Sequence, residues 1–199
     1  MGDGSQREIA PKLLDAAERL IIEEGYEALS ADAAASRAGV RTVDTLPTQW
    51  ELFTAVVLRD EERFNAKVDQ AVAKAPDPSA QLVAVIETCV IEHDWTLWIE
   101  LWSLARREDA AGQLRRRLDQ VFRERIARLV EAGLEAGVFE VADAQATGTA
   151  IATLIDALAV EATLGDDTVS PNFMLGATTD AAGRLVGAKL KLPEPSEND

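Results

Sequence analysis

The chain has 199 residues, 47% of them hydrophobic but only 5% aromatic, and a formal net charge of −15. That length suits one or two domains with a real core, while the charge excludes broad attraction to nucleic acid or anionic lipid, so any DNA contact must come from a local basic patch. A single cysteine excludes an internal disulfide, and no apolar run approaches the ~18 residues of a membrane span. The opening MGDGSQREIA carries no basic segment followed by an apolar run, so no secretory signal is expected and the reducing cytoplasm is the expected location.

Apolar residues recur at three- and four-residue steps along most of the chain, with little strand-like alternation, which predicts an all-α fold of about nine helices. Ile9, Leu13, Ala16, Ala17, Leu20 and Ile21 line one face of a helix over 7–24, which Gly25 ends. Ser30 caps a short helix over 31–38 that stops at Gly39. A stub of helix over 41–45 follows before Pro47, because proline disfavours helical geometry at Leu46. Thr48 and Glu51 have capping-box spacing and open a long helix reaching about Ala73.

Asp77 and Pro78 then start a helix over 78–93, since proline suits the first helical position. A tryptophan-rich helix over 95–106 follows, and then a long arginine-rich one stopped near Gly137. Asp143 starts another that ends at Gly165. Ser170 and Pro171 start the last, which reaches about residue 190. The tail PEPSEND, 193–199, reads as disordered.

Several groups invite a chemical reading. Trp95, Trp98 and Trp102 fall at i, i+3 and i+7, either as core packing or as a wall for a flat or cationic ligand. Cys89 and His93 stand four apart, too few for a metal site and without a catalytic set, so neither metal, cofactor nor enzyme activity is expected. Arg115, Arg116, Arg117, Arg123, Arg125 and Arg128 alternate with Asp119, Glu124 and Glu131, as on a solvated helix with ion pairs between turns. The helix from Asp143 is apolar around much of its circumference and carries small residues. Self-association through Ala150, Leu154, Ala157 and Leu158, together with the last helix, would cover it.

LLDAAERLIIEEGYEALSADAAASRAGV, followed by WIELWSLARRED, EAGVFE and ATLIDALAVEATLGDD, resembles the TetR family of bacterial transcriptional regulators over essentially the whole chain. The resemblance implies a homodimer with a helix-turn-helix head, 1–58, and a body, 59–192, that holds a small-molecule effector. It further implies heads ~34 Å apart in successive major grooves of operator DNA, with a small, largely apolar ligand releasing the repressor. The expected DNA contacts are Ser30, Arg37, Arg41, Thr42 and Thr45. The expected ligand contacts are Cys89, His93, Trp95, Trp98, Trp102 and Phe122.

The head departs from the family in two ways. RTVDTL runs into Pro47 about three residues early, leaving roughly one and a half helical turns where a recognition helix is expected. Residues 1–58 also hold ten acids against five bases, a poor balance for neutralising phosphates. A second reading is therefore kept: a dimeric ligand-binding or interaction protein of the same fold that no longer binds specific DNA.

Overall fold

The computed structural model describes residues 10–40 and 47–192. Among these residues there are eight α-helices, one 3-10 turn at Tyr26–Ala28 and no strand, in agreement with the all-α expectation. The helices are α1 (Pro11–Glu24), α2 (Ala31–Ala38), α3 (Gln49–Lys74), α4 (Pro78–Ile91), α5 (Thr96–Ala105), α6 (Asp109–Glu135), α7 (Ala144–Thr163) and α8 (Pro171–Leu185). The expected stub over 41–45 and the tail 193–199 lie outside the described residues.

Local chemistry sets most helix starts. Ser30 Oγ accepts from the Ala33 amide at 3.1 Å, Asp77 from Ala80 at 2.9 Å, Asp143 from Ala146 at 2.9 Å and Ser170 from Phe173 at 3.2 Å. Each satisfies an amide that has no partner within its own helix. At α3 the box is reciprocal: the Thr48 amide donates to Glu51 Oε2 at 2.7 Å, and the Glu51 amide donates to Thr48 Oγ1 at 3.1 Å.

Three boundaries differ from expectation. Helix α1 begins at Pro11: Ala10, inside the expected span, is extended at φ −56° and ψ 133°, as a residue before proline prefers, and residues 7–9 of that span lie outside the described residues. Helix α4 stops at Ile91, two residues early. Helix α8 stops at Leu185, because Gly187 turns left-handed at φ 66° and the Ala188 amide closes back on Gly183 O at 2.9 Å.

The chain divides into two compact units, the first formed by Met1–Arg63 with Thr96–Glu100 and the second by Phe64–Trp95 with Leu101–Asp199. In the first, α1 and α2 pack through Leu13, Ala16, Ala17, Leu20, Ala31, Ala34 and Ala35, all buried. Phe53 of α3 is fully buried and meets Tyr26 edge-on at 5.0 Å between ring centroids. Arg59 donates to Asp15 at 2.7 Å and to Glu18 at 2.5 Å, tying α3 to α1 by charge.

In the second unit α6 and α7 form the most extensive helix pair, with α4 and α8 packed against it. Val68, Leu82, Val85, Ile86, Ile126, Val130, Ile151 and Ile155 are fully buried there. Gly148 permits the α6–α7 approach: a Cβ added to it would lie 2.7 Å from the Ala127 backbone nitrogen.

Candidate functional site

In the first unit, Ser30 and Arg37 bracket α2. Ser30 is exposed and serves as the cap of that helix. Arg37, in its last turn, is exposed too, but its guanidinium is occupied: Nη1 donates to Glu24 Oε1 at 3.1 Å and Nη2 donates to Glu23 Oε2. The remaining DNA candidates, Arg41, Thr42 and Thr45, lie outside the described residues.

In the second unit a run of rings assembles around His93. Its imidazole centroid is 4.6 Å from Phe64 and 4.9 Å from Trp95, the latter edge-on. Trp95 continues to Trp102 at 6.4 Å, and Phe64 to Phe122 at 6.1 Å. Burial drives the His93 pKa from 6.5 down to about 4, with Lys67 adding to the shift and Asp94 opposing it, so the imidazole is neutral at pH 7. The imidazole itself thus adds no positive charge to the four aromatic rings, although the Lys67 ammonium stands near enough to act on it, and aromatic faces of this kind attract cations.

The local placement differs from the helical spacing expected for these residues. His93 stands beyond the end of α4, so its separation from Cys89 is not one helical turn. Cys89 is fully buried on α4, and its carbonyl accepts the Trp95 indole N–H at 3.0 Å. Trp95 precedes α5, leaving only Trp98 and Trp102 within that helix, and Trp98 belongs to the first unit. Phe64 was not among the expected ligand contacts. Its position at the α3 end of the ring cluster is a tertiary fact with no local signal.

The arginine helix also departs from a uniformly solvated face. Asp119 is buried, accepting from Arg115 at 2.6 Å, with Arg123 Nη2 at 3.8 Å. Arg125 leaves the helix face to reach Asp69 at 2.6 Å and Asn65 at 3.0 Å on α3. Asp119 is thus taken out of water on the side where α7 packs on α6, while Arg116, Arg117 and Arg128 stay exposed. From α7, Asp156 joins the group, and burial together with the Asp119 charge raises its pKa to about 7 despite Arg123 and Arg115. A lone carboxylate in the most apolar stretch of α7 was the available sequence signal.

On the outside of α7, Ala150 and Ala157 are exposed and Leu154 and Leu158 half-buried, the last also touching the core. Thr149 and Thr153 turn their hydroxyls onto Gln145 O at 2.9 Å and Thr149 O at 2.8 Å. On α8, Phe173 is 52% exposed, a large ring facing solvent in the single chain.

The sequence of residues 78–187 matches the C-terminal domain of BetI-type transcriptional repressors. The chain belongs to the TetR family. Residues 13–42 match the bacterial regulatory proteins of the tetR family, a span that takes in all but the first two residues of α1 and all of α2. This TetR-family regulator is similar in structure to a protein of Saccharomonospora viridis assigned as a transcriptional regulator and solved in complex with choline. That pair has a TM-score of 0.77 and 20% identity, covering 90% of this chain and 95% of that one. A TetR transcription regulator from Haloarcula marismortui is similar at a TM-score of 0.74 and 24% identity, covering 90% and 97%. SCO4454, a TetR-family regulator from Streptomyces coelicolor, follows at 0.73 and 17%, covering 88% and 94%. No curated protein matches the chain by sequence. The family and fold are those of transcriptional regulators rather than enzymes, and no helix among the described residues is long and apolar enough to cross a membrane.

Proposed function

We propose that this TetR-family protein is a homodimeric repressor whose second unit takes a small organic cation with an apolar body, and that this ligand lowers its affinity for operator DNA. The observation that carries the ligand class is the ring cluster of Phe64, His93, Trp95, Trp102 and Phe122 around an uncharged imidazole. Indole and phenyl faces attract a desolvated cation by roughly 1–2 kcal/mol each. The choline bound to the Saccharomonospora viridis protein supports the same class.

The dimer reading rests on the outer face of α7 and α8. Alanines there allow close approach, and the hydroxyls of Thr149 and Thr153 bond within α7, so covering them strands neither donor. Ligand and DNA are linked if the cation favours a dimer conformation with the heads wrongly spaced for two successive grooves.

A second reading, the same fold without operator binding, is favoured by the acidic head and by the engagement of Arg37 with two carboxylates. One experiment decides between them. Fluorescence anisotropy of a duplex from upstream of the protein's own gene is titrated with dimer at several salt concentrations, with and without choline. Nanomolar binding that outcompetes random DNA, and that choline weakens, is expected. Absence of any preference at low salt would establish the second reading. Binding that choline leaves unchanged would remove the ligand assignment alone.

A further inference from the structure

We propose that Glu23 and Glu24 form a carboxylate clasp that holds Arg37 away from the DNA backbone and so sets the strength and salt dependence of DNA binding. The inference rests on the DNA-binding reading above and concerns residues within the first unit only. In a helix-turn-helix the first of the two motif helices crosses the phosphate backbone, and α2 occupies that place. Its last turn carries Arg37, the one basic residue of α2, on an exposed surface.

Both terminal nitrogens of the fork are already taken. Nη1 donates to Glu24 at 3.1 Å and Nη2 to Glu23, so one cation sits between two anions. A phosphate approaching the closed clasp meets a net charge of about −1 where a free arginine would offer +1. The two glutamates are the last residues of α1, a helix with no basic residue in its final turn. Negative charge at a helix C-terminus opposes the helix dipole. These acids therefore do not serve α1 itself, and Arg37 is the group that offsets them.

The clasp is also weak enough to open. The side chains of Arg37, Glu23 and Glu24 are 31%, 50% and 55% exposed. Exposed pairs of this kind are screened by water and salt, so a duplex can compete for the guanidinium. Closed, the clasp suppresses loose attachment to arbitrary DNA. Opened by a well-seated duplex, it adds one arginine–phosphate contact.

The test is a double-mutant cycle in the full-length dimer, read by anisotropy on the upstream duplex and on a random duplex of equal length. Glu23→Gln/Glu24→Gln should tighten binding to both by about tenfold at low salt. It should also steepen the slope of log K against log salt by about one unit, the signature of one more neutralised phosphate. In an Arg37→Ala background the same double change should give less than a twofold gain and no change of slope. Glu27→Gln, an exposed acid of the same unit outside the clasp, measures the general effect of removing negative charge. Circular dichroism of each variant checks that the head is folded, and the single changes Glu23→Gln and Glu24→Gln stand in if the pair is not.

A gain that survives Arg37→Ala undiminished overturns the clasp while leaving the regulator reading intact. Binding by the double variant alone, with the parent inert, supports the clasp. Failure of every variant to bind either duplex, even in dilute salt, removes the clasp and the DNA-binding reading together.

Discussion

The indole N–H of Trp95 donates to the carbonyl of Cys89 across 3.0 Å, joining the last turn of α4 to the residue that precedes α5. The carbonyls of a helix's last turn have no partners within it, and here a side chain from the following loop supplies one. Trp95→Phe keeps a ring beside His93 and removes the donor. Its expected cost is about 1 kcal/mol in urea unfolding, and Trp95→Ala costs more because packing is lost as well. Both substitutions are expected to weaken choline binding, the alanine by at least tenfold in a fluorescence titration.

His93 gives the second unit an acid sensitivity of predictable sign. Its pKa is about 4 when folded against 6.5 when unfolded. Between those values the unfolded chain binds the extra proton, so stability is complete above pH 6.5 and is lost as pH falls toward 4, by at most about 3 kcal/mol. His93→Gln removes that contribution. Comparing urea midpoints at pH 7.5 and 5 should show a larger acid-induced loss for the parent than for the variant.

Asp156 acts in the opposite direction. Its folded pKa of about 7 stands above the ordinary 3.8, so the folded chain holds the extra proton through that window. The contribution is complete below pH 3.8 and is lost as pH rises through 7. Asp156→Asn carries no buried charge and should exceed the parent in stability by about 1–3 kcal/mol at pH 8, with the difference shrinking at pH 5. An equal difference at both pH values would show that Asp156 ionises as freely in the native protein as in the unfolded chain.

Gly148→Ala tests the close pairing of α6 and α7. The new methyl would lie 2.7 Å from the Ala127 nitrogen and 2.8 Å from its Cα, both backbone atoms that cannot rotate away. The helices must separate, at an expected cost of about 2–3 kcal/mol, or a fall in Tm of roughly 5–10 °C for a chain of this size.

What the sequence discloses follows from how local each cause is. The caps at Ser30, Thr48, Asp77, Asp143 and Ser170 are made within three residues, and all are legible in the sequence alone. The break at Ala10 has a local signal, the restriction Pro11 puts on the residue before it, but the apolar rhythm running through Ile9 masks that signal in the sequence. Phe64 beside His93, and Asp156 beside Asp119, depend on which helices meet, and neither pair shares a sequence window. Asp119 was legible as the partner of Arg115, but its burial was not, because that depends on the helix laid over it.

The tryptophans divide evenly between the two compact units, Trp50 and Trp98 in the first and Trp95 and Trp102 in the second. The protein thus carries two separate sets of intrinsic optical reporters. Replacing Trp50 and Trp98 by phenylalanine leaves emission from the second unit, and replacing Trp95 and Trp102 leaves emission from the first. Melting, or a response to choline, can then be assigned to one half without attaching a dye.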